Sequence, residues 1–110
     1  MTHNFRPVFV FALLSLLAAP LIAEESFTLT IKDHQYQPAE LQVPAKQKFK
    51  LVVKNEDATP EEFESKPLKR EKIVKGGSQI IMNLGPLEPG TYEFVGEFHE
   101  DTAKGTLIAR

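Results

Sequence analysis

The side chains able to do chemistry in this chain are few, and most are acidic. Glu61, Glu62 and Glu64 sit almost side by side, Glu71 follows, and Glu97, His99, Glu100 and Asp101 crowd one short stretch near the carboxyl end. Carboxylates with a single imidazole make a hard, mainly oxygen donor set, suited to iron in either oxidation state, to manganese or to non-blue Cu(II). The sequence contains 110 residues and no cysteine. That excludes disulfides, thiolate nucleophiles, iron–sulfur clusters and cysteine zinc sites together. No Gly-rich phosphate loop, serine elbow or paired-histidine zinc motif is present, so the chain reads as a binder and not an enzyme. A net charge of −2 argues against a nucleic-acid module, which would be basic.

The same residues also admit a plainer account. Acid runs are commonly solvated faces. Lys66, Lys69, Arg70 and Lys72 lie close by in sequence and could neutralise them as surface pairs worth under about 1 kcal/mol each. His34, at a bend before Tyr36 and Pro38, fits a turn residue better than a ligand.

Elements that position these groups follow from alternation. Phe27-Thr28-Leu29-Thr30-Ile31-Lys32 places apolar residues at every second position, the mark of a strand with one core face and one wet face. Leu41 with Val43, then Phe49, Leu51 and Val53, repeat it, separated by a turn over 44–47. Glu61 to Ser65 reads as a short strand with Glu62 and Glu64 on one side and Phe63 on the other. In the stretch 69–74, residues 68–72 are compatible with a helical turn, but Ile73 and Val74 followed by Gly76-Gly77 read more as a strand entering a turn. Further strands cover 78–83, where Met82 belongs to the core, then 91–96 and 105–110. In Leu87-Glu88-Pro89-Gly90-Thr91-Tyr92 the Pro-Gly pair turns the chain, and the following Tyr can return its hydroxyl to the backbone upstream, a tyrosine corner. Seven to eight short strands without helical periodicity describe an all-β Greek-key sandwich.

The amino end is different in kind. A basic start at Arg6, an apolar stretch over 8–17 and a small-residue exit over 18–23 form a secretory signal peptide pattern. Cleavage after Ala23 leaves one domain, 24–110, made more acidic by the loss of Arg6, and His3 leaves with the leader.

Taken in order, Asp33-His34-Gln35-Tyr36-Gln37-Pro38-Ala39-Glu40-Leu41-Gln42-Val43, the Asn55-Glu56-Asp57 end of the third strand, the Pro89-Gly90-Thr91-Tyr92 corner and the Gly105-Thr106-Leu107-Ile108 finish resemble a cupredoxin-like domain. More narrowly, they resemble the small periplasmic EfeO-type proteins linked to bacterial iron uptake. The family's blue copper centre uses two His, one Cys and a weak axial Met. Here those places fall at Glu61, Gly96, His99 and, for the Met, near Ala103 or Lys104, so only His99 is kept and no blue copper centre can form. The EfeO-type resemblance implies Glu62, Glu64 and Glu71 as metal ligands, to which the last loop adds Glu97 and His99. The resulting expectation is a secreted periplasmic protein that binds an iron or copper ion at a non-blue carboxylate/His site and assists a membrane iron permease or other periplasmic transport component. A metal-free module docking a membrane transport partner through the edge 61–72 is the alternative. A non-blue copper redox protein is disfavoured by the single imidazole.

Overall fold

A computed structural model describes residues 24–110. The leader expected over 1–23 lies outside the described residues. Nine strands form, β1 Glu25–Lys32, β2 Gln35–Gln37, β3 Glu40–Val43, β4 Phe49–Asn55, β5 Glu61–Ser65, β6 Arg70–Val74, β7 Gln79–Leu84, β8 Gly90–Gly96 and β9 Lys104–Ala109, with a 3-10 turn at Glu97–His99. They make two sheets, a four-stranded one in the order β2-β1-β4-β7 and a five-stranded one in the order β3-β9-β8-β5-β6. β1 with β4 and β3 with β9 pair parallel, and all other neighbours are antiparallel.

Alternation explains the layers. In β4, Phe49, Leu51 and Val53 are fully buried while Lys50 and Lys54 face water. From the opposite sheet, Phe63, Phe94 and Leu107 meet them. Tyr36 packs edge-on against Phe94 and Phe63, at ring separations of 4.9 and 6.2 Å, and closes the core between the layers. Each such large side chain contributes roughly 1.5–3 kcal/mol on burial, which is how a chain of this size stays folded without a disulfide. Met82 is buried as alternation requires. Tyr92 donates its hydroxyl to the carbonyl of Glu88 at 2.8 Å, forming the tyrosine corner.

One strand exceeds the seven or eight read from sequence. The stretch read as a bend before Pro38 contains β2, because Asp33 and His34 both take left-handed backbone conformations, φ 52° and 55°. Positive φ at both central residues is what a tight two-residue hairpin turn demands, and Asp and His tolerate it better than most residues. The turn reverses the chain so that Lys32 faces Gln35 and Ile31 faces Tyr36.

Candidate metal centre

The pleat of β5 sorts its acids. Glu61, Phe63 and Ser65 point inward and are buried, whereas Glu62 and Glu64 point outward and are half-buried. A carboxylate 1% exposed is costly unless its oxygens are bonded. Those of Glu61 are. Oε1 accepts the backbone N–H of Phe98 at 2.9 Å and of Glu62 at 3.1 Å, and Oε2 lies 2.5 Å from Nδ1 of His99. With Oε1 serving two donors, the consistent tautomer has Nδ1–H donating to Oε2, leaving the lone pair on Nε2.

This arrangement crowds Gly96, which the resemblance puts at the thiolate place. A Cβ at Gly96 would come within 2.7 Å of both the Glu61 carboxyl carbon and the Ala103 methyl carbon. The residues that the resemblance assigns to copper-ligand places form a packed Glu61–His99 pair, with Glu61 and Ala103 against Gly96. They do not fit a blue copper centre.

The outward acids form a second group. β5 and β6 pair so that Glu64 faces Glu71 and Glu62 faces Ile73, which makes Glu62 and Glu71 diagonal neighbours. Glu97 opens the 3-10 turn that follows β8. One carboxylate oxygen from each of Glu62, Glu71 and Glu97 lies within 4.8 Å of the other two. Such crowding shifts their protonation. A hydrogen bond shared with Glu71, loss of hydration and the charge of Glu97 push the Glu62 carboxyl up to about 7. Loss of hydration, then the charge of Glu64, raises Glu97 above the usual carboxylate range.

Of the five residues singled out in the sequence, the structure therefore brings together Glu62, Glu71 and Glu97. Glu64 lies one pleat further along β5 and opens onto a groove with Glu93, Glu97 and Glu100. His99 is not part of this group and is bonded to Glu61. The nearby bases do not neutralise the cluster: among the described residues the one acid–base contact within 4.0 Å is that of His99 with Glu61. Arg70 instead donates to the backbone carbonyls of Leu68, Lys69 and Asn83.

A further set of residues at this end was not singled out as a site. Asn55, buried at the end of β4, donates its side-chain amide to the carbonyls of Thr59 and Val74 at 2.8 and 3.0 Å and accepts the N–H of Asp57 at 3.0 Å. Asp57 in turn accepts the N–H groups of Asp33 and His34 at 2.8 and 3.0 Å. Burial opposes the charge of Asp57, but the His34 and Asp33 donors outweigh it and hold the carboxyl below its ordinary value. The His34 ring stacks on His99 at a centroid separation of 3.5 Å and 13° from parallel. The legible signal was Asp33-His34 between two alternating stretches, which suits a tight hairpin turn. Tyr36 is buried and feels the charge of Glu61. Its hydroxyl is buried without a partner, and burial, with the charge of Glu61, raises it above the usual phenol range.

Comparison with known proteins is consistent with this geometry. The family model described as cupredoxin-like domain matches residues 6–109. Uncharacterized protein RP394 of Rickettsia prowazekii (strain Madrid E) is 50% identical over 80 residues, 73% of this chain and 64% of that protein, so the match spans less than two thirds of the relative's length. Among solved structures, auracyanin A, a blue copper protein of Chloroflexus aurantiacus, is 14% identical with a TM-score of 0.68, covering 80% of this chain and 100% of its own. A purple cupredoxin from Nitrosopumilus maritimus is 17% identical with a TM-score of 0.58, covering 76% and 98%. Amicyanin from Paracoccus versutus is 16% identical with a TM-score of 0.62, covering 84% and 88%. At these identities the structural likeness establishes the sandwich fold alone.

Proposed function

Because this chain belongs to the cupredoxin-like domain family yet has no cysteine for blue copper chemistry, we propose that it captures a hard metal ion on its surface through Glu62, Glu71 and Glu97. The observation that carries this reading is their convergence, with one oxygen of each within 4.8 Å of the others. No lysine or arginine among the described residues lies within 4.0 Å of these acids, so their mutual repulsion, eased in part by the hydrogen bond between Glu62 and Glu71, favours a bound cation.

Three oxygen donors suit iron or manganese, with Cu(II) accepted less selectively. Glu71 and Glu97 are exposed, so ligands on one side of the ion remain replaceable by water or by a partner's donors. Such a site holds an ion for transfer and does not turn over a substrate. The amino-terminal leader pattern supports export to the periplasm. Together with the EfeO-type resemblance, it supports a role as accessory to a membrane iron, or iron and copper, transport system. The alternative, a metal-free docking module on the edge 61–72, is weakened because Lys66, Lys69 and Lys72 leave the acids unpaired.

Calorimetric titration of the purified protein with Fe(II) under anaerobic conditions, chelated Fe(III) and Mn(II) tests the reading. Close to one equivalent should bind, and Glu71→Gln should weaken it by about tenfold or more. Glu64→Gln should have a much smaller effect, since its carboxylate stands outside the triad. Absence of saturable binding, or binding indifferent to Glu71→Gln, overturns it.

A further inference from the structure

We infer that the free edge of β7 pairs antiparallel with the same edge of a second copy of this chain, joining two four-stranded sheets into one. A sheet edge presents unpaired N–H and C=O groups, and folded proteins blunt such edges with charge, proline or shortness. The sandwich has four edge strands, β2 and β7 in one sheet and β3 and β6 in the other. β2 is three residues long and runs into Pro38. β3 is four residues long, carries Glu40 and is followed by Pro44. β6 carries Arg70, Glu71 and Lys72. Only β7 lacks these devices. Its six residues, Gln79-Ile80-Ile81-Met82-Asn83-Leu84, include no charge and no proline, and at its middle Ile81 is 58% exposed.

The backbone of β7 is open on that side. The Ser78 carbonyl accepts the N–H of Asn55 at the end of β4, at 2.8 Å. Every second residue from there, Ile80, Met82 and Leu84, therefore directs its backbone groups at β4, and Gln79, Ile81 and Asn83 direct theirs outward. Arg70, on the edge strand of the other sheet, donates to the outward carbonyl of Asn83 at 3.3 Å. Among the described residues no other hydrogen bond reaches these outward groups.

Antiparallel pairing centred on Ile81 satisfies all of them. Ile81 then faces the second copy's Ile81, Gln79 faces the second copy's Asn83, and each facing pair exchanges two hydrogen bonds. The two Ile81 side chains cover one another, the Gln79 and Asn83 amides lie side by side, and the half-buried Ile80 comes beside the second copy's Met82. Charge agrees with this contact. Lys54 and Lys50 neighbour Gln79 and Asn83 within the sheet, yet the lysines of the two copies stand three strand spacings apart, about 14 Å, beyond the screening length of about 8 Å at physiological salt. Stacking the outer faces of this sheet would instead set lysine on lysine, because the strand positions of that face carry Lys32, Lys50 and Lys54 and no acid. The edge contact is self-complementary, so it closes at a dimer and leaves only the blunted edges exposed. It uses no residue of the carboxylate triad.

Sedimentation velocity of the purified protein over a concentration series, with EDTA present so that no cation bridges acids, tests this. A reversible monomer–dimer equilibrium is expected. Ile81→Lys places two lysines opposite one another at the centre of the pairing and should raise the dissociation constant about tenfold or more. Ile81 is exposed, so the variant should fold normally, which circular dichroism verifies. Ile73→Lys, equally exposed on the charged edge β6, should leave the equilibrium unchanged. Amide hydrogen exchange locates the contact: protection at Gln79, Ile81 and Asn83 should rise with protein concentration. A protein monomeric up to millimolar concentration, a dimer indifferent to Ile81→Lys, open-ended assembly, or β7 amides whose exchange ignores concentration overturns the inference. Association that requires an added cation overturns it as well. None of these outcomes bears on metal capture, which the calorimetric titration decides by itself.

Discussion

The Glu61 carboxyl carbon lies 2.7 Å from where a side chain at Gly96 would place its first carbon. Gly96 carries no side chain, and Glu61 fills the adjoining space. This end of the sandwich is thus a packed acid–imidazole pair of Glu61 and His99.

Introducing a copper-binding thiol at Gly96 is therefore expected to fail. Gly96→Cys must displace either the triply bonded Glu61 or the short side chain of Ala103, an overpacking cost of about 1–3 kcal/mol. Thermal unfolding should show that loss, and Cu(II) added to the variant should give none of the intense visible absorption of a copper–thiolate bond. A strong blue or purple band would show that the space is more yielding than the geometry indicates.

Removing Glu61 should be the more damaging change. Glu61→Ala leaves the Phe98 and Glu62 N–H groups and His99 Nδ1 without their acceptor, for a loss of about 3 kcal/mol by urea unfolding. Glu61→Gln retains an acceptor oxygen and should lose less. Equal losses in the two variants would mean that packing, and not hydrogen bonding, makes Glu61 matter.

The acidic triad should give the metal-free protein an inverted pH response. The Glu62 carboxyl ionises near 7 when folded, against about 4.3 in an unfolded chain. Through the interval between these values the folded state binds more protons than the unfolded one, so stability falls as pH rises and is fully retained only below the unfolded value. Asp57 works in the opposite sense: its folded value is depressed, so its contribution is present at neutral pH and lost in acid. The melting temperature should thus decline from mildly acidic to neutral pH, and Glu62→Gln should flatten that decline. A wild-type profile already flat there would contradict the crowding of the triad.

Tyr36→Phe should cost little. The hydroxyl is buried without a partner, and an unbonded polar group in a core opposes folding by about 1–3 kcal/mol. Its removal should leave stability unchanged or raise it, with the edge-on packing against Phe63 and Phe94 preserved. A clear loss of stability in chemical denaturation would reveal a bonding partner for the hydroxyl.

Much of the architecture was legible in the chain because it depends on local periodicity. Alternation in 27–32 and 49–54 identifies which side chains face the core, and the pleat alone separates Glu62 and Glu64 from Phe63. Pro89-Gly90 followed by Tyr92 announces the corner. The absence of cysteine rules out a copper–thiolate bond on composition alone. β2 was harder to see, since a three-residue strand has little periodicity and its existence depends on two positive φ values at Asp33 and His34.

What only the tertiary structure decided is which acids act together. Glu61 and Glu62 are neighbours in sequence, yet the pleat sends one into the core and the other to the surface, and each meets partners from the other end of the chain. Register across β5 and β6 makes Glu71 a diagonal neighbour of Glu62, while the 3-10 turn after β8 brings in Glu97 and delivers His99 to Glu61. The stacking of His34 on His99 joins a hairpin near the start of the domain to a turn near its end. Composition and alternation state what each residue prefers locally. Contacts between segments so distant in sequence are set by strand pairing and by the closing of two sheets around one core, which no local pattern encodes.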